Sequence, residues 1–185
     1  NMSLRHAIMV DLWREPGTGY EIAKRFQEGF GFSWKASHPQ IYTELKKLAK
    51  LKWVEFNRIE QENKPAKKIY TLTEKGLKSL IEWVNTPVEP APIRDAFLIK
   101  MAAGVLAEPE ILIEEVKDRK KIADEKLTFF REIEKLYYKT PQDLPPDKYF
   151  PYLSLRAGIL TFESYQAWFG EVIQYLDRVI TENQA

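Results

Sequence analysis

Residues 17–26 (GTGYEIAKRF), 37–50 (SHPQIYTELKKLAK) and 67–72 (KKIYTL) decide the fold of this chain. The first two runs read as short amphipathic helices, each preceded by its own start signal. The third run belongs to a pair of segments in which apolar and polar residues alternate, as they do in strands. This order of elements predicts a mainly α fold with a small β-hairpin in the amino-terminal half.

Both predicted helices begin with residues that can cap a helix. Thr18 can accept a hydrogen bond from the first turn while Glu21 reaches back to the amide of Thr18, which makes a capping box. At the second start, either Ser37 or His38 can act as the cap, and Gln40 can close a second box. We therefore expect a helix to begin directly after each cap.

The second helix combines an apolar stripe with a polar face. Ile41, Leu45 and Leu48 recur at helical spacing, so that they share the side that packs on the core. The opposite side offers amide, hydroxyl and ammonium groups, which can bond to base edges and phosphates as a recognition helix requires. The candidate DNA contacts on this helix and its cap are Ser37, His38, Gln40, Tyr42, Thr43, Lys46 and Lys47.

A hairpin is predicted downstream of this helix, over residues 53–60 and 68–72. The segment between the strands, QENKPAK, is polar and contains a proline, so that we expect a long mobile loop rather than a tight two-residue turn. Lys64, Lys67 and Lys68 lie near its tip, where they can contact phosphates beside the groove. The amino-terminal half is therefore predicted to be a winged helix-turn-helix domain.

Charge is divided unevenly between the two halves of the chain. Residues 1–86 hold 15 Lys and Arg against 10 Asp and Glu, whereas residues 87–185 hold 13 against 17. An excess of positive charge on one half is typical of a nucleic-acid surface attached to a different module. Lysine-rich loops and helix faces are also common on domains that bind no DNA, so a winged helix that serves only for docking is the alternative.

Composition argues against several other classes of protein. No run approaches the ~20 apolar residues of a membrane span. The chain has no cysteine, which excludes disulfides and fits a reducing cytoplasm. His6 and His38 are its only histidines, and neither has a second ligand at metal spacing. We therefore expect a cytoplasmic protein that is not an enzyme and holds no cofactor and no metal.

Three prolines mark a boundary between two modules. Residues 85–93 read NTPVEPAPI, a composition that holds the chain extended, and helical periodicity resumes after them. We divide the chain into a winged helix-turn-helix DNA-binding domain (1–86), a proline-rich linker (87–93) and a helical domain for dimerisation and possible effector binding (94–185).

The last predicted helix, over about residues 147–181, carries two adjoining apolar stripes. The first stripe has heptad spacing broken only by Gln166, and the second contains Tyr165 and Trp168. Together they are wider than one partner helix can cover, so that one face packs inside the subunit and the other on a second copy. We place the dimer contacts on the heptad stripe: Leu155, Ile159, Phe162, Phe169, Ile173, Leu176 and Ile180.

The runs GYEIAKRF, PQIYTELKKLAKLKWVE and KKIYTLTEKG resemble the amino-terminal domain of PadR-type bacterial transcriptional regulators. The run LRAGILTFESYQAWFGEVIQYL resembles the carboxy-terminal helix of the longer PadR-like members, which are related to virulence activators. Two segments depart from this pattern. Residues 50–53 read KLKW where relatives often have an acidic residue and a glycine, and the aromatic segment 30–34 has no counterpart that we can assign.

The resemblance implies a homodimeric, sequence-specific transcriptional regulator that binds a pseudo-palindromic operator in double-stranded DNA, and we expect a repressor. PadR-like regulators often respond to aromatic or other hydrophobic small molecules, which makes Tyr165 and Trp168 candidate effector contacts. By composition alone, such aromatic stripes also occur as plain core. A small-molecule-binding or protein-docking module whose winged helix does not bind DNA therefore stays the alternative.

Overall fold

The computed structural model describes residues 2–26, 36–61 and 64–184, which fall into two compact units, Asn1–Ala91 and Pro92–Ala185. The first unit contains α1 (Met2–Arg14), α2 (Gly19–Arg25), α3 (His38–Lys50), β1 (Val54–Gln61), β2 (Lys64–Leu72) and α4 (Glu74–Val84). The second contains α5 (Ala96–Ala102), α6 (Pro109–Tyr137) and α7 (Pro146–Gln184), with 3-10 turns at Gly104–Leu106 and Pro141–Asp143. The predicted class, mainly helical with one β-hairpin, is confirmed. The aromatic segment 30–34 lies outside the described residues.

Both predicted capping boxes are present. The amide of Glu21 donates to the Thr18 hydroxyl at 3.2 Å, and the amide of Thr18 donates to the Glu21 carboxylate at 2.8 Å. Ser37, rather than His38, caps α3, since its amide donates to the Gln40 side-chain oxygen at 2.8 Å. These bonds satisfy amides that a helix start would otherwise leave unpaired, and they determine where α2 and α3 begin.

The core of the first unit forms where α3 packs on α1 and α2. Ile41, Leu45 and Leu48 of α3 have no exposed surface, and they share a buried cluster with Ile8 of α1 and Ile22 of α2. Complete burial of such side chains contributes about 1.5–3 kcal/mol each relative to exposure. The rotation of α3 about its axis is therefore set by its apolar stripe.

The hairpin is longer than the sequence predicted. β1 and β2 pair antiparallel, and beyond a shift in register Gln61 still pairs with Lys64. The prediction of a long loop over residues 61–67 is therefore wrong. Pro65 interrupts the alternating pattern without ending the strand, because both strands of a two-stranded ribbon are edge strands, where proline is tolerated. Lysines that were predicted at the loop tip thus belong to β2.

The turn from α3 into β1 passes through a left-handed residue. Lys52 has a φ angle of 59°, a conformation that costs a residue other than glycine about 1–2 kcal/mol. One local and one long-range bond hold this turn: the Trp53 amide donates to the Leu48 carbonyl at 3.0 Å, and the Thr73 hydroxyl donates to the Lys52 carbonyl at 2.8 Å. This is the KLKW segment that departs from the family pattern.

In the second unit α6 and α7 pack as an antiparallel pair. Gln166 of α7 donates to Asp124 of α6 at 2.7 Å, and Arg156 donates to Glu134 at 3.2 Å, so that residue numbers rise on one helix as they fall on the other. No helix among the residues that the structure describes is both long enough and apolar enough to cross a membrane.

The heptad stripe of α7 faces α6 within the same chain. Ile159, Phe169 and Leu176 are 1%, 5% and 6% exposed, so that these three predicted dimer contacts are buried within the chain itself. The physical reason is that the apolar stripe of α6 also has to be buried. The connection between α6 and α7 is short, so that α7 of the same chain covers this stripe. The other predicted dimer contacts are half-buried here: Leu155, Phe162, Ile173 and Ile180.

Gly76 offers a stability test of the contact between α4 and the start of the β1–β2 hairpin, which we call the wing. A Cβ atom at Gly76 would lie 2.1 Å from the carbonyl oxygen of Trp53. Because backbone cannot yield as a flexible side chain does, Gly76→Ala should lower the free energy of unfolding by about 1–3 kcal/mol, measured by urea denaturation. Gly170→Ala is the matched control, since nothing lies within 4 Å of a Cβ there, and it should leave stability unchanged or raise it. Equal stabilities for Gly76→Ala and the wild-type chain would rule out this close approach.

Candidate nucleic-acid interface

The polar face of α3 is turned to solvent. The side opposite the buried stripe carries an amide, a phenol, a hydroxyl and three ammonium groups, all on exposed residues: Gln40, Tyr42, Thr43, Lys46, Lys47 and Lys50. The helix has the dimensions and chemistry needed to enter a DNA major groove. The structure thus leaves accessible the residues of α3 that the sequence nominated as base and phosphate contacts.

Gln40 is oriented by its role in the helix cap. Its side-chain oxygen accepts hydrogen bonds from the amide of Ser37 at 2.8 Å and from the hydroxyl of Ser37 at 3.1 Å. The side-chain amide nitrogen of Gln40 then remains to donate a hydrogen bond to an acceptor on a base. A side chain fixed in this way loses less conformational entropy on binding than a free one.

Glu44 lies on the buried side of α3 and forms a charge cluster that sequence reasoning missed. Arg5 of α1 donates to one carboxylate oxygen at 3.0 Å, and Lys47 donates to the other at 3.1 Å. Burial alone would raise the pKa of Glu44, but the hydrogen bonds from Lys47 and Arg5 outweigh burial and lower it. The carboxylate therefore stays ionised and ties α3 to α1. Its position in the sequence could have indicated this, because Glu44 follows Ile41 by one helical turn and therefore lies on the buried side of α3.

The start of α2 packs closely against Tyr42. A Cβ at Gly19 would lie 2.4 Å from the Tyr42 ring, so that a larger residue there would have to displace the ring. Tyr20, which the sequence analysis did not select, is 63% exposed and lies with its ring centroid 5.7 Å from that of His38. The amino-terminal ends of α2 and α3 thus form one continuous surface on which His38 and Tyr42 both lie.

Asp11 and Arg25 hold α2 against α1. The Arg25 guanidinium donates to the Asp11 carboxylate at 2.6 Å and to the Glu15 carbonyl at 3.2 Å. Burial raises the pKa of Asp11 by more than its bond to Arg25 lowers it. The pair holds α2 in position against α1. The Asp11 side chain is buried, so that it is not available to contact DNA bases.

The wing is joined to α2 by an ion pair. Lys67 donates to the Glu21 carboxylate at 3.1 Å, and the same carboxylate accepts the Thr18 amide of the capping box. These bonds, that from the Thr18 amide first, lower the pKa of Glu21 to about 2. The ammonium of Lys68 lies 4.4 Å from the centroid of the Phe56 ring. Nothing is described for the side chain of the third predicted wing lysine, Lys64.

Of the two predicted effector residues, one lines a cavity and the other does not. Trp168 lines a cavity of about 520 Å³ in the second unit. Tyr165 is not part of the cavity wall; its ring stacks on Phe169 with a centroid distance of 5.8 Å. Tyr175, two turns beyond Trp168 on α7, is part of the cavity wall. No group of residues that could hold a metal ion occurs in the described part of the chain.

These features define a winged helix-turn-helix protein with an exposed recognition helix and a separate helical unit. Residues 8–82 match the transcriptional regulator PadR-like family, and residues 93–177 match the family described as virulence activator alpha C-term. Probable transcriptional regulator Rv1176c of Mycobacterium tuberculosis is 31% identical over 185 residues, which cover 95% of this chain and 98% of that protein. The chain belongs to the PadR-like family of transcriptional regulators.

Solved structures show the same relationship. Bacillus subtilis PadR in complex with operator DNA superposes with a TM-score of 0.79 at 28% identity, covering 94% of this chain and 99% of the other. The Vibrio cholerae virulence activator AphA superposes with a TM-score of 0.77 at 29% identity, covering 95% and 99%. The predicted family, including its longer members, is thereby confirmed.

The hydrogen bonds that the Glu21 carboxylate accepts from the Thr18 amide and from Lys67 predict a pH dependence of stability. A carboxyl whose pKa is lowered from 4.5 to about 2 on folding stabilises the fold above pH 4.5, and this contribution is lost as the pH falls toward 2. Glu21→Gln keeps a residue that can close the capping box but removes the charge. Urea denaturation from pH 5 to about 2 should therefore show a shallower loss of stability for this variant than for the wild-type chain.

Glu55→Gln is the matched control for this measurement. Glu55 is an exposed glutamate of β1 that pairs with no cation among the described residues, so that its variant should follow the wild-type curve. Identical curves for Glu21→Gln and the wild-type chain would contradict the lowered pKa of Glu21.

Proposed function

We propose that this regulator binds a pseudo-palindromic DNA operator as a homodimer, acts as a repressor, and loses affinity for the operator when a small hydrophobic or aromatic effector binds. The observation that carries the proposal is the orientation of α3, whose apolar stripe is fully buried while its polar face is exposed. Bacillus subtilis PadR, described as a negative transcriptional regulator, is 29% identical to this chain over 95% of its length. Its structure with operator DNA supports the same use of the fold.

The exposed groups of α3 suit different contacts with DNA. We assign Gln40 and Thr43 to base edges, because their short polar side chains can donate and accept hydrogen bonds in the major groove. The remaining groups suit phosphates, since charge and a hydroxyl give affinity without sequence information. The phosphate contacts that we propose are Ser37, His38, Tyr42, Lys46 and Lys47 on α3 and its cap, with Lys64, Lys67 and Lys68 on the wing.

The lysines differ in what DNA must displace. Lys47 and Lys67 are paired with Glu44 and Glu21, so that a phosphate has to compete with a carboxylate of the same chain. Lys46 is exposed and forms no ion pair with any described residue. Its charge is therefore fully available, and we expect Lys46 to make a larger electrostatic contribution than Lys47.

Selection of bound fragments from a random duplex library tests the function directly, and we expect it to recover an inverted repeat. On that duplex, Lys46→Ala removes one phosphate contact from each subunit of the dimer and should make the slope of log affinity against log salt less negative by about 1.8, at about 0.9 for each neutralised phosphate. Lys78→Ala is the matched control, because Lys78 is an equally exposed lysine on α4. It should leave the slope unchanged.

Three results would count against DNA reading by α3. Recovery of no duplex would favour the docking alternative. Recovery of sequences without a common motif would favour an architectural role. Equal changes of slope for Lys46→Ala and Lys78→Ala would show a general effect of charge and not a contact on α3.

An outer stripe on α7 supports the homodimer. Leu153 and Leu160 are 46% and 52% exposed and lie on the side of α7 opposite the stripe that packs on α6. Ala157 and Ala167 continue this line at helical spacing. An exposed apolar line of this length on one helix indicates an interface. A two-fold dimer would also present two copies of α3 to half-sites about one helical turn of DNA apart.

Leu160→Asp tests the dimer. A carboxylate at the centre of the outer stripe would be buried without a partner if a second copy packs there, so that sedimentation at micromolar concentration should change from dimer to monomer. Ser154→Asp adds the same charge on an exposed residue of α7 away from the stripe and should remain dimeric. A wild-type monomer, or a dimeric Leu160→Asp chain, would contradict the interface.

The effector part of the proposal rests on the cavity beside Trp168. Its volume of about 520 Å³ lies within the range of about 300–1,000 Å³ that is usual for small-molecule sites. Bacillus subtilis PadR has been solved in complex with p-coumaric acid, in a structure 27% identical to this chain with a TM-score of 0.72. An effector would weaken operator binding by changing the spacing of the two DNA-reading heads of the dimer.

A further inference from the structure

The cavity of the second unit is a groove along one side of α7. Its floor is a line of residues at helical spacing on α7, and its rim comes from the end of α5, the 3-10 turn and the start of α6. The wall residues on α7 are Trp168, Glu171, Val172, Tyr175, Leu176, Val179 and Asn183. The groove is therefore an apolar channel with two aromatic rings and few polar groups.

Glu171 is the only charged residue in the wall of this groove. It forms no ion pair with any described residue. The nearby arginines have other contacts: the guanidinium of Arg178 lies outside the wall, 5.4 Å from the centroid of Tyr175, and Arg119 stacks over Phe97 at 4.0 Å while pairing with Glu115. Glu171 is thus the charge that the described wall itself contributes, beside the rings of Trp168 and Tyr175.

We propose that the groove beside Glu171 binds an organic cation with a flat hydrophobic body, such as an aromatic amine. The ammonium group pairs with Glu171, and the body lies against Trp168 and Tyr175, whose ring faces attract cations. A ligand that carries a carboxylate meets repulsion from Glu171. The proposal rests on the effector part of the proposed function only for its regulatory consequence.

The same carboxylate argues against a second copy of the chain as the occupant of the groove. An apolar helix seated there would bury Glu171 without a cation from its own chain, which is unfavourable. A cationic ligand removes that penalty by pairing with the carboxylate. The ligand class therefore differs from the phenolic acid found with Bacillus subtilis PadR, which is an anion at neutral pH.

Isothermal titration calorimetry with three probes of similar size tests the charge preference on the full chain at neutral pH. Tyramine is a cation, tyrosol is neutral, and para-hydroxyphenylacetate is an anion. We expect tyramine to bind most tightly, tyrosol about tenfold more weakly, and the anion more weakly still. Glu171→Gln should reduce the affinity for tyramine about tenfold and leave that for tyrosol unchanged.

Two further variants separate the groove from the rest of the surface. Glu182→Gln removes the same charge from an exposed residue of α7 outside the wall and should not affect any probe. Val179→Trp fills the groove and should weaken binding of tyramine and tyrosol alike, with thermal unfolding as the check that the variant is folded. The proposal is wrong if the anion binds as tightly as tyramine, if the wild-type chain binds no tyramine, or if Glu182→Gln acts as Glu171→Gln does.

Operator affinity measured on the same samples distinguishes this inference from the proposed function. If the chain binds no operator, the proposed function fails, while the comparison of Glu171→Gln with the wild-type chain still decides the ligand class. If tyramine binds through Glu171 and operator affinity does not change, the cation site stands and its role as an effector site is contradicted.

Discussion

Burial of the apolar stripe of α3 is the constraint on which the reading surface depends. Ile41, Leu45 and Leu48 have no exposed surface, and each contributes about 1.5–3 kcal/mol through burial. Surface ion pairs contribute about 0–1 kcal/mol, so that they cannot rotate the helix away from the position that its stripe dictates. Once the stripe faces the core, the amide, hydroxyl and ammonium groups of the other side have to face water. The accessibility of these groups is thus a consequence of how the helix packs.

The ion pairs refine this arrangement. The Glu44 carboxylate joins α3 to α1 through Arg5, and the Glu21 carboxylate joins the wing to α2 through Lys67. Each carboxylate also holds a cation of the DNA-facing side near a fixed position. The same pairing lowers the charge that is immediately available to phosphates. With the proposed contacts, affinity for DNA would depend on an exchange of partners at Lys67 and at Lys47, in addition to simple attraction.

Helix α7 of the second unit has three sides with different surroundings. The heptad stripe of α7 packs on α6, the outer line around Leu160 remains apolar and exposed, and a third side lines the groove with Trp168 and Glu171. The sides lie at different angles on the helix, because successive residues rotate by about a hundred degrees. A ligand in the groove and a second copy on the outer line would therefore act on the same rigid element.

Much of this architecture could be predicted from local sequence. The capping boxes at Thr18 and Ser37, the stripe of α3 and the order of helices and hairpin all rest on bonds or spacings within a few residues, and the structure has each of them. The predicted loop over residues 61–67 failed because a proline in an edge strand looks like a turn in sequence.

What only the tertiary structure decided is the choice of partners. Sequence periodicity showed that the heptad stripe of α7 is apolar. It could not show whether the stripe packs on α6 or on another chain, because both partners require the same pattern. Lys67 and Glu21 are separated by 46 positions, and no local pattern could pair them. The same holds for Glu171, which is an ordinary surface glutamate until packing places an apolar groove beside it. Local hydrogen bonds and periodicity are properties of short segments, whereas contacts between distant segments exist only once the chain has packed.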